Sequence, residues 1–263
     1  MKIFLALLCC LVPAICAADD WTPPKNADPS TILDEARDDA AAAKYKVALA
    51  KQLWYHENAL RIEPAQSGVR LSFALSSWLE LGEKYPPALA KMREVRDQTE
   101  VKIRDKDRVR VQFSDFHDFV SLNSTLRQNE RSVKLFKWLH EDDAEDAQRI
   151  YLIAEEALVK AEEFEICGEY IDADRSVEQI GSSYEHGLTL RARFGEQHQR
   201  FVDKKFVNEC AILVGILVKV KREEEAGAAA ASFKKLVKDK DLKVKLNREL
   251  ESALKGILPT PWP

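Results

Sequence analysis

Apolar positions recur along most of this chain at three- and four-residue spacing, the period of helices that bury one face. The clearest stripe is Ala147, Ile150, Tyr151, Ala154, Ala157, Leu158 and Ala161. Others are Leu71, Ala74, Leu75 and Trp78; Val177, Ile180, Tyr184 and Leu188; Phe206, Cys210, Leu213, Val214 and Leu217; and Leu246, Leu250, Leu254 and Ile257. Start and stop signals divide the pattern. Asp28-Pro29 supplies an N-cap and a proline at the first helical position, predicting a helix to about Lys44. Further helices are expected from about Lys46 to Ile62, from Gly68 to near Gly82, and from Pro86 to about Ile103. Arg104 to Val111 is charged and loses the 3.6-residue period, so a loop is expected over 105–112. Beyond it, Ser114 and Asn129 are the expected caps of two more helices, and Asp142 with Glu145 has cap-and-N3 spacing for the next. Gly168 marks an expected helix stop. A proline-rich tail, 259–263, is expected to be poorly ordered.

An internal repeat sits on this pattern. Residues 44–51 read KYKVALAK and residues 84–91 read KYPPALAK, a period of 40 residues. Ala48 and Ala88 are small enough to let two helices approach, and Tyr45 and Tyr85 lie three positions earlier on the same helical face. Pro86 and Pro87 fit a first helical turn, where a missing donor costs nothing. A weaker third copy is Gly168-Glu169-Tyr170 followed by Ala173.

Gly-acid-Tyr-x-x-Ala between two amphipathic helices resembles the turn of the tetratricopeptide repeat. The resemblance implies a small residue nine positions before the turn tyrosine, held here by Ala36, Ser76 and Ala161. It implies an aromatic or apolar residue six positions before it, held by Leu79 and Phe164, with Asp39 departing from the pattern. Pro64 corresponds to the proline that closes the second helix. The family period is about 34 residues; the segment from Ala48 to Ala59 carries one extra helical turn. A HEAT-like repeat fits the longer period and is the alternative. The resemblance implies an all-α, right-handed α-solenoid of stacked antiparallel helix pairs, with helix pairs over 19–104 and a continuing array over 113–258. In the family such an array binds peptides or partner proteins on its concave face.

Composition agrees with helices: 9 Gly and 10 Pro stand against 46% hydrophobic and 32% charged residues. A net charge of −4 with mixed signs offers no basic surface for phosphates, which argues against a nucleic-acid partner. The first residues belong to a different class. Lys2, the apolar run Ile3 to Ile15 and the small Cys16-Ala17-Ala18 before Asp19-Asp20 predict a signal peptide, 1–18, cleaved near Ala17 or Ala18. A secreted or periplasmic protein is therefore expected. Cys9, Cys10 and Cys16 leave with that peptide. Cys167 and Cys210 remain, either as a disulfide or as two small buried hydrophobes. The apolar run Cys210 to Val218 is too short to span a membrane.

Motifs for chemistry are sparse. His56, His117, His140, His186 and His198 are dispersed without metal-ligand spacing, so no metal or cofactor is expected. Glu141-Asp142-Asp143 and Glu223-Glu224-Glu225 read as solvated faces or caps. Asn123-Ser124-Thr125 is a glycosylation sequon. Trp54 and Tyr55 are the expected partner-binding residues, being adjacent aromatics that point in different directions. The functional expectation is an exported, non-catalytic helical-repeat protein that binds a protein or peptide. The alternatives are an exported hydrolase or metal-dependent enzyme on a helical scaffold, and a self-associating structural protein.

Overall fold

Asp28 opens the described fold as expected, accepting from Thr31 N at 2.8 Å and from the Thr31 hydroxyl at 2.7 Å. The structure, a computed structural model, describes residues 21–261, and of residues 191 and 192 the backbone alone. The expected signal peptide, its three cysteines and the last two tail residues lie outside them. The described residues are all-α, with no strand among them. In chain order the helices are α1 (Pro29–Ala41), α2 (Tyr45–Ile62), α3 (Ser67–Leu71), α4 (Phe73–Lys84), α5 (Pro86–Arg104), α6 (Phe113–Thr125), α7 (Asn129–Asp142), α8 (Ala144–Lys160), α9 (Phe164–Tyr170), α10 (Ala173–Thr189), α11 (Arg191–Lys219), α12 (Glu223–Leu236) and α13 (Lys240–Ala253). A 3₁₀ turn, Pro64–Gln66, precedes α3. The chain divides into two units, Met1–Val95 and Arg96–Pro263, with the boundary inside α5.

In the first unit, α1 packs on α2 and α2 on α4. Ile32, Leu33 and Ala36 of α1 are buried, as are Tyr55 and Ala59 of α2 and Ala74, Leu75 and Trp78 of α4. The buried polar groups are paired, as burial demands. Tyr55 Oη donates to Gln66 Oε1 at 2.9 Å, and Gln66 Nε2 donates to Ser30 Oγ at 2.8 Å. Asp39, the residue that departs from the repeat pattern, accepts from Lys51 at 2.7 Å, and Glu35 lies 2.8 Å from the same ammonium. Burial alone would lower the Lys51 pKa; the hydrogen bonds its ammonium donates to Asp39 and Glu35 outweigh it and hold the value above the usual lysine range. The single helix expected from Gly68 to Gly82 is broken at Ser72 (φ −130°, ψ −85°), whose hydroxyl donates to the Gly68 carbonyl at 2.6 Å and competes with the helical ladder.

In the second unit, α8 packs on α6 and α7, while α11 packs on α10, α12 and α13. Short α9 touches both α8 and α11. One continuous core runs through Phe116, Phe136, Ile150, Phe206, Leu217 and Phe233. The stripe foreseen on α8 is buried from Ala147 to Leu158. Three expected caps are displaced: Gln112 stands two residues before Ser114, Gln128 one before Asn129 and Asp143 one after Asp142, and only Asp143 caps with its side chain, accepting from Asp146 N at 3.0 Å. Asp146, buried itself, accepts from Val111 N at 2.6 Å and so ends the charged loop 105–112.

Several helices end in the same way. After α1, α6, α8 and α11 the chain enters the left-handed region at Ala43, Arg127, Glu162 and Lys221, with φ between 56° and 61°. Each makes the paired Schellman bonds: Lys44 N to Asp39 O at 2.8 Å, Gln128 N to Asn123 O at 2.8 Å, Glu163 N to Leu158 O at 3.0 Å, and Arg222 N to Leu217 O at 2.8 Å are the long members. Gly256, φ 73°, does the same beyond α13. This corrects the reading of Gly168: it lies inside α9, and the turn before that helix is made at Glu162.

Candidate functional site

The two matching octets meet. The Tyr45 and Tyr85 rings stack with centroids 5.9 Å apart and planes 23° from parallel. Ala48 and Ala88 are both fully buried, and the Trp78 indole donates to the Ala88 carbonyl at 3.0 Å. The expected binding aromatics part company here. Tyr55 has no exposed surface and belongs to the core. Trp54 is half-buried beneath Trp21, edge to face at 6.3 Å.

The third corner, in the second unit, carries ionisable groups instead. Tyr170 stacks on Tyr151 at 5.3 Å, and its hydroxyl lies 2.6 Å from His140 Nδ1. Tyr151 Oη donates to Glu155 Oε1 at 2.9 Å and engages the Cys167 thiol. Ala173 is buried at the start of α10, whose cap Asp172 accepts from Arg175 N at 3.0 Å. Burial raises the Glu155 carboxyl above the usual range, and the nearby Glu209 of α11 adds to the effect. Burial raises Glu209 as well, against the pull of Lys205, whose Nζ is 3.6 Å away. Burial pushes Cys167 up to about 12 and Cys210 well above its ordinary value. Both are free thiols, and both are buried. A thiol held protonated in this way is a poor nucleophile. A carboxyl whose pKa is raised by burial keeps its proton to higher pH than a solvated one, a property a general acid uses.

A cleft of about 360 Å³ opens farther along α8, between the α8–α9 turn and the segment after α13. Phe164, Lys160, Lys219 and Leu258 line it. The Lys219 ammonium sits 5.5 Å from the Phe164 ring centroid. The tail forms one lip: Asn208 Nδ2 donates to the Thr260 carbonyl at 2.9 Å, and Leu258 packs over Gly215, where an added Cβ would stand 2.5 Å from Leu258 Cγ. The walls of the cleft are aliphatic, aromatic and charged, with Glu162 beside the two lysines and Lys160 paired to Glu156.

The other singled-out residues are placed plainly. His56 is buried edge to face against Trp78 at 5.6 Å. The sequon residue Asn123 is fully buried in α6 and donates to Ser132 Oγ at 3.1 Å. Among the described residues no group of three or more His, Cys, Asp or Glu is placed to hold a metal ion, and no helix is long and apolar enough to cross a membrane. Sequence reasoning missed Glu155 and Glu209. Tyr151 was read as core and Glu155 lies one turn beyond it, a spacing that carries the signal but looks like any exposed helical carboxylate. Comparison with protein-family models, with curated proteins and with solved structures finds no match to this chain.

Proposed function

We propose that this chain is an exported, non-catalytic helical-repeat protein, built as a right-handed tetratricopeptide-like solenoid, that binds a partner protein. The reading rests on the stacked tyrosine corner. Two octets 40 residues apart in sequence supply matching tyrosines in contact and matching alanines without exposed surface. Helix pairs that share corners in this way leave long side-chain rows for a partner, because each pair spends one face on its neighbour. The cleft beside Phe164 and Lys219 is the surface we assign to the partner segment. Affinity recovery from the envelope fraction, with the parent chain and a Phe164→Ala/Lys219→Glu variant side by side, tests it. A protein recovered by the parent and lost from the variant, with unchanged thermal melting, supports the assignment. Equal recovery by both, or no recovery by either, rejects it.

One observation favours a second reading, an exported hydrolase. Glu155 is a carboxyl with a raised pKa, hydrogen-bonded to Tyr151 and close to a second carboxyl, Glu209, and perturbed carboxyls gather at active sites. Glu155→Gln abolishing a hydrolytic activity of the purified chain supports that reading. A chain without activity toward ester, amide and glycoside probes removes it.

A further inference from the structure

The segment after α13 lies on its own protein in the manner of a bound peptide. Gly256, left-handed at φ 73°, turns the chain against α11, with Lys219 and Val218 the nearest neighbours of its Cβ position. Ile257 N donates to the Ser252 carbonyl at 3.1 Å, the last backbone–backbone hydrogen bond among the described residues. From there to Pro261 the chain has no regular secondary structure. Leu258 and Thr260 each precede a proline, which restricts both to extended backbone, and Pro259 and Pro261 have no N–H to pair. Side chains alternate accordingly: Ile257 is 62% exposed, while Leu258 packs against the core of the second unit.

The receiving surface is cut to fit. Gly215 stands in the middle of the apolar run Cys210–Val218 of α11, where alanine is the better helix former. A Cβ there would meet three Leu258 side-chain atoms, at 2.5, 2.8 and 3.2 Å, so the glycine is a notch that this leucine fills. Asn208 lies seven residues earlier, two turns along the same face of α11. Its side-chain amide donates to the Thr260 carbonyl at 2.9 Å. A donor to a main-chain carbonyl reads the extended course of the segment and not the side chain at that position. Leu258, Pro259, Thr260 and Pro261 also form one wall of the cleft beside Phe164.

We infer that this face of α11 is the receptor for an extended leucine–proline segment of the partner protein, and that the tail segment is an internal competitor displaced when the partner binds. The inference rests on the reading of the chain as a partner-binding protein. Recognition takes a leucine in the Gly215 notch, a proline after it, and the next residue's carbonyl on Asn208. The prolines hold the segment extended before it binds, so little conformational freedom is lost on docking. Tethering gives the tail an effective concentration on the order of millimolar, so a free segment of the same quality competes poorly until the tail is unseated.

Fluorescence anisotropy of a labelled peptide with the sequence of residues 256–261, titrated with the full chain and its variants, tests this. Leu258→Glu in the chain unseats the tail and frees the notch, and is expected to bind the peptide about tenfold more tightly than the parent does. Pro259→Gly/Pro261→Gly loosens the tail without touching the notch and is expected to fall between the two. It carries the test if Leu258→Glu melts below the parent. The peptide carrying Leu258→Ser is expected not to bind, and Gly215→Ala added to either tail variant is expected to abolish binding with melting unchanged. Absence of peptide binding by both tail variants overturns the proposal, and so does binding indifferent to Gly215→Ala. A parent chain whose mass rises with concentration, with a monomeric Leu258→Glu variant, overturns it by giving the notch to the tail of a second copy. Peptide binding with no protein recovered from the envelope upholds the receptor face and rejects the envelope partner; recovery without peptide binding does the reverse.

Discussion

Residues 44–51 and 84–91 share most of their letters yet turn the chain by different means. Before Tyr45 the reversal takes three residues, with Ala43 left-handed and Lys44 closing a Schellman bond. At the second octet one residue suffices. Tyr85 is extended (φ −134°, ψ 91°), as a residue preceding proline must be, and α5 starts at Pro86. The stacked rings and buried alanines are common to both, so the side chains define the corner and the backbone adapts. The corner at Tyr170 keeps the tyrosine and the small residue but surrounds them with Tyr151, His140, Glu155 and Cys167. One kind of corner is sealed with neutral groups; the other is wired to protons.

The largest effect that bears on this contrast is expected at Trp78, the anchor of the sealed corner. Trp78→Ala is expected to cost about 3–5 kcal/mol, measured by urea unfolding of the first unit's signal within the full chain. A cost near zero would mean the indole is not holding the Ala88 carbonyl. Next come the two corner glycines. A Cβ at Gly82 would stand 2.9 Å from Leu89 Cβ and 3.1 Å from Leu89 N, whereas at Gly168 it meets only the Val220 side chain, at 2.9 Å. Gly82→Ala is expected to lose about 1–3 kcal/mol, because backbone cannot step aside. Smaller still, a double-mutant cycle between Tyr45→Ala and Tyr85→Ala should return a coupling of about 0.5–1.5 kcal/mol. No coupling would remove the stack as a shared element.

The proton-linked corner is probed by Glu155→Gln. The folded carboxyl titrates above its unfolded value, so its protonated form is the one the fold favours. The stability it contributes is full below the unfolded pKa and is lost as pH rises through the raised folded value. Glutamine keeps the acceptor for Tyr151 and cannot ionise. The variant is therefore expected to melt higher than the parent at neutral pH and alike below about pH 4. Parallel melting curves at every pH would show that burial does not raise the Glu155 carboxyl. The smallest effect belongs to Gly168→Ala, where a helix-propensity gain of about 1 kcal/mol offsets the squeeze on Val220. In a Val220→Ala background the same change should become stabilising.

These contrasts also explain what could be read from the sequence. Helix existence, the α8 stripe and the Asp28 cap were legible because each depends on neighbouring residues. The helix ends were not. Four of the left-handed stops carry Ala, Arg, Glu and Lys where glycine would have announced them. Each such residue costs about 1–2 kcal/mol of local strain, accepted because the paired carbonyl bonds and the packing beyond them return more. Caps slipped by one or two residues where polar neighbours are interchangeable, as among Glu141, Asp142 and Asp143. The all-α class followed from periodicity; the stacking of Tyr45 on Tyr85 did not, since repetition marks two like corners without saying that they touch. The Glu155–Glu209 neighbourhood did not, since it joins residues 54 positions apart on two helices.

The seat of Leu258 over Gly215 has a practical side. The segment after α13 behaves as a strap fastened at Leu258 and at the Thr260 carbonyl, and the strap forms the lip of the cleft. An affinity handle or fluorescent fusion joined at the C-terminus would pull on that strap, so a partner screen run with such a fusion would interrogate a pried-open site.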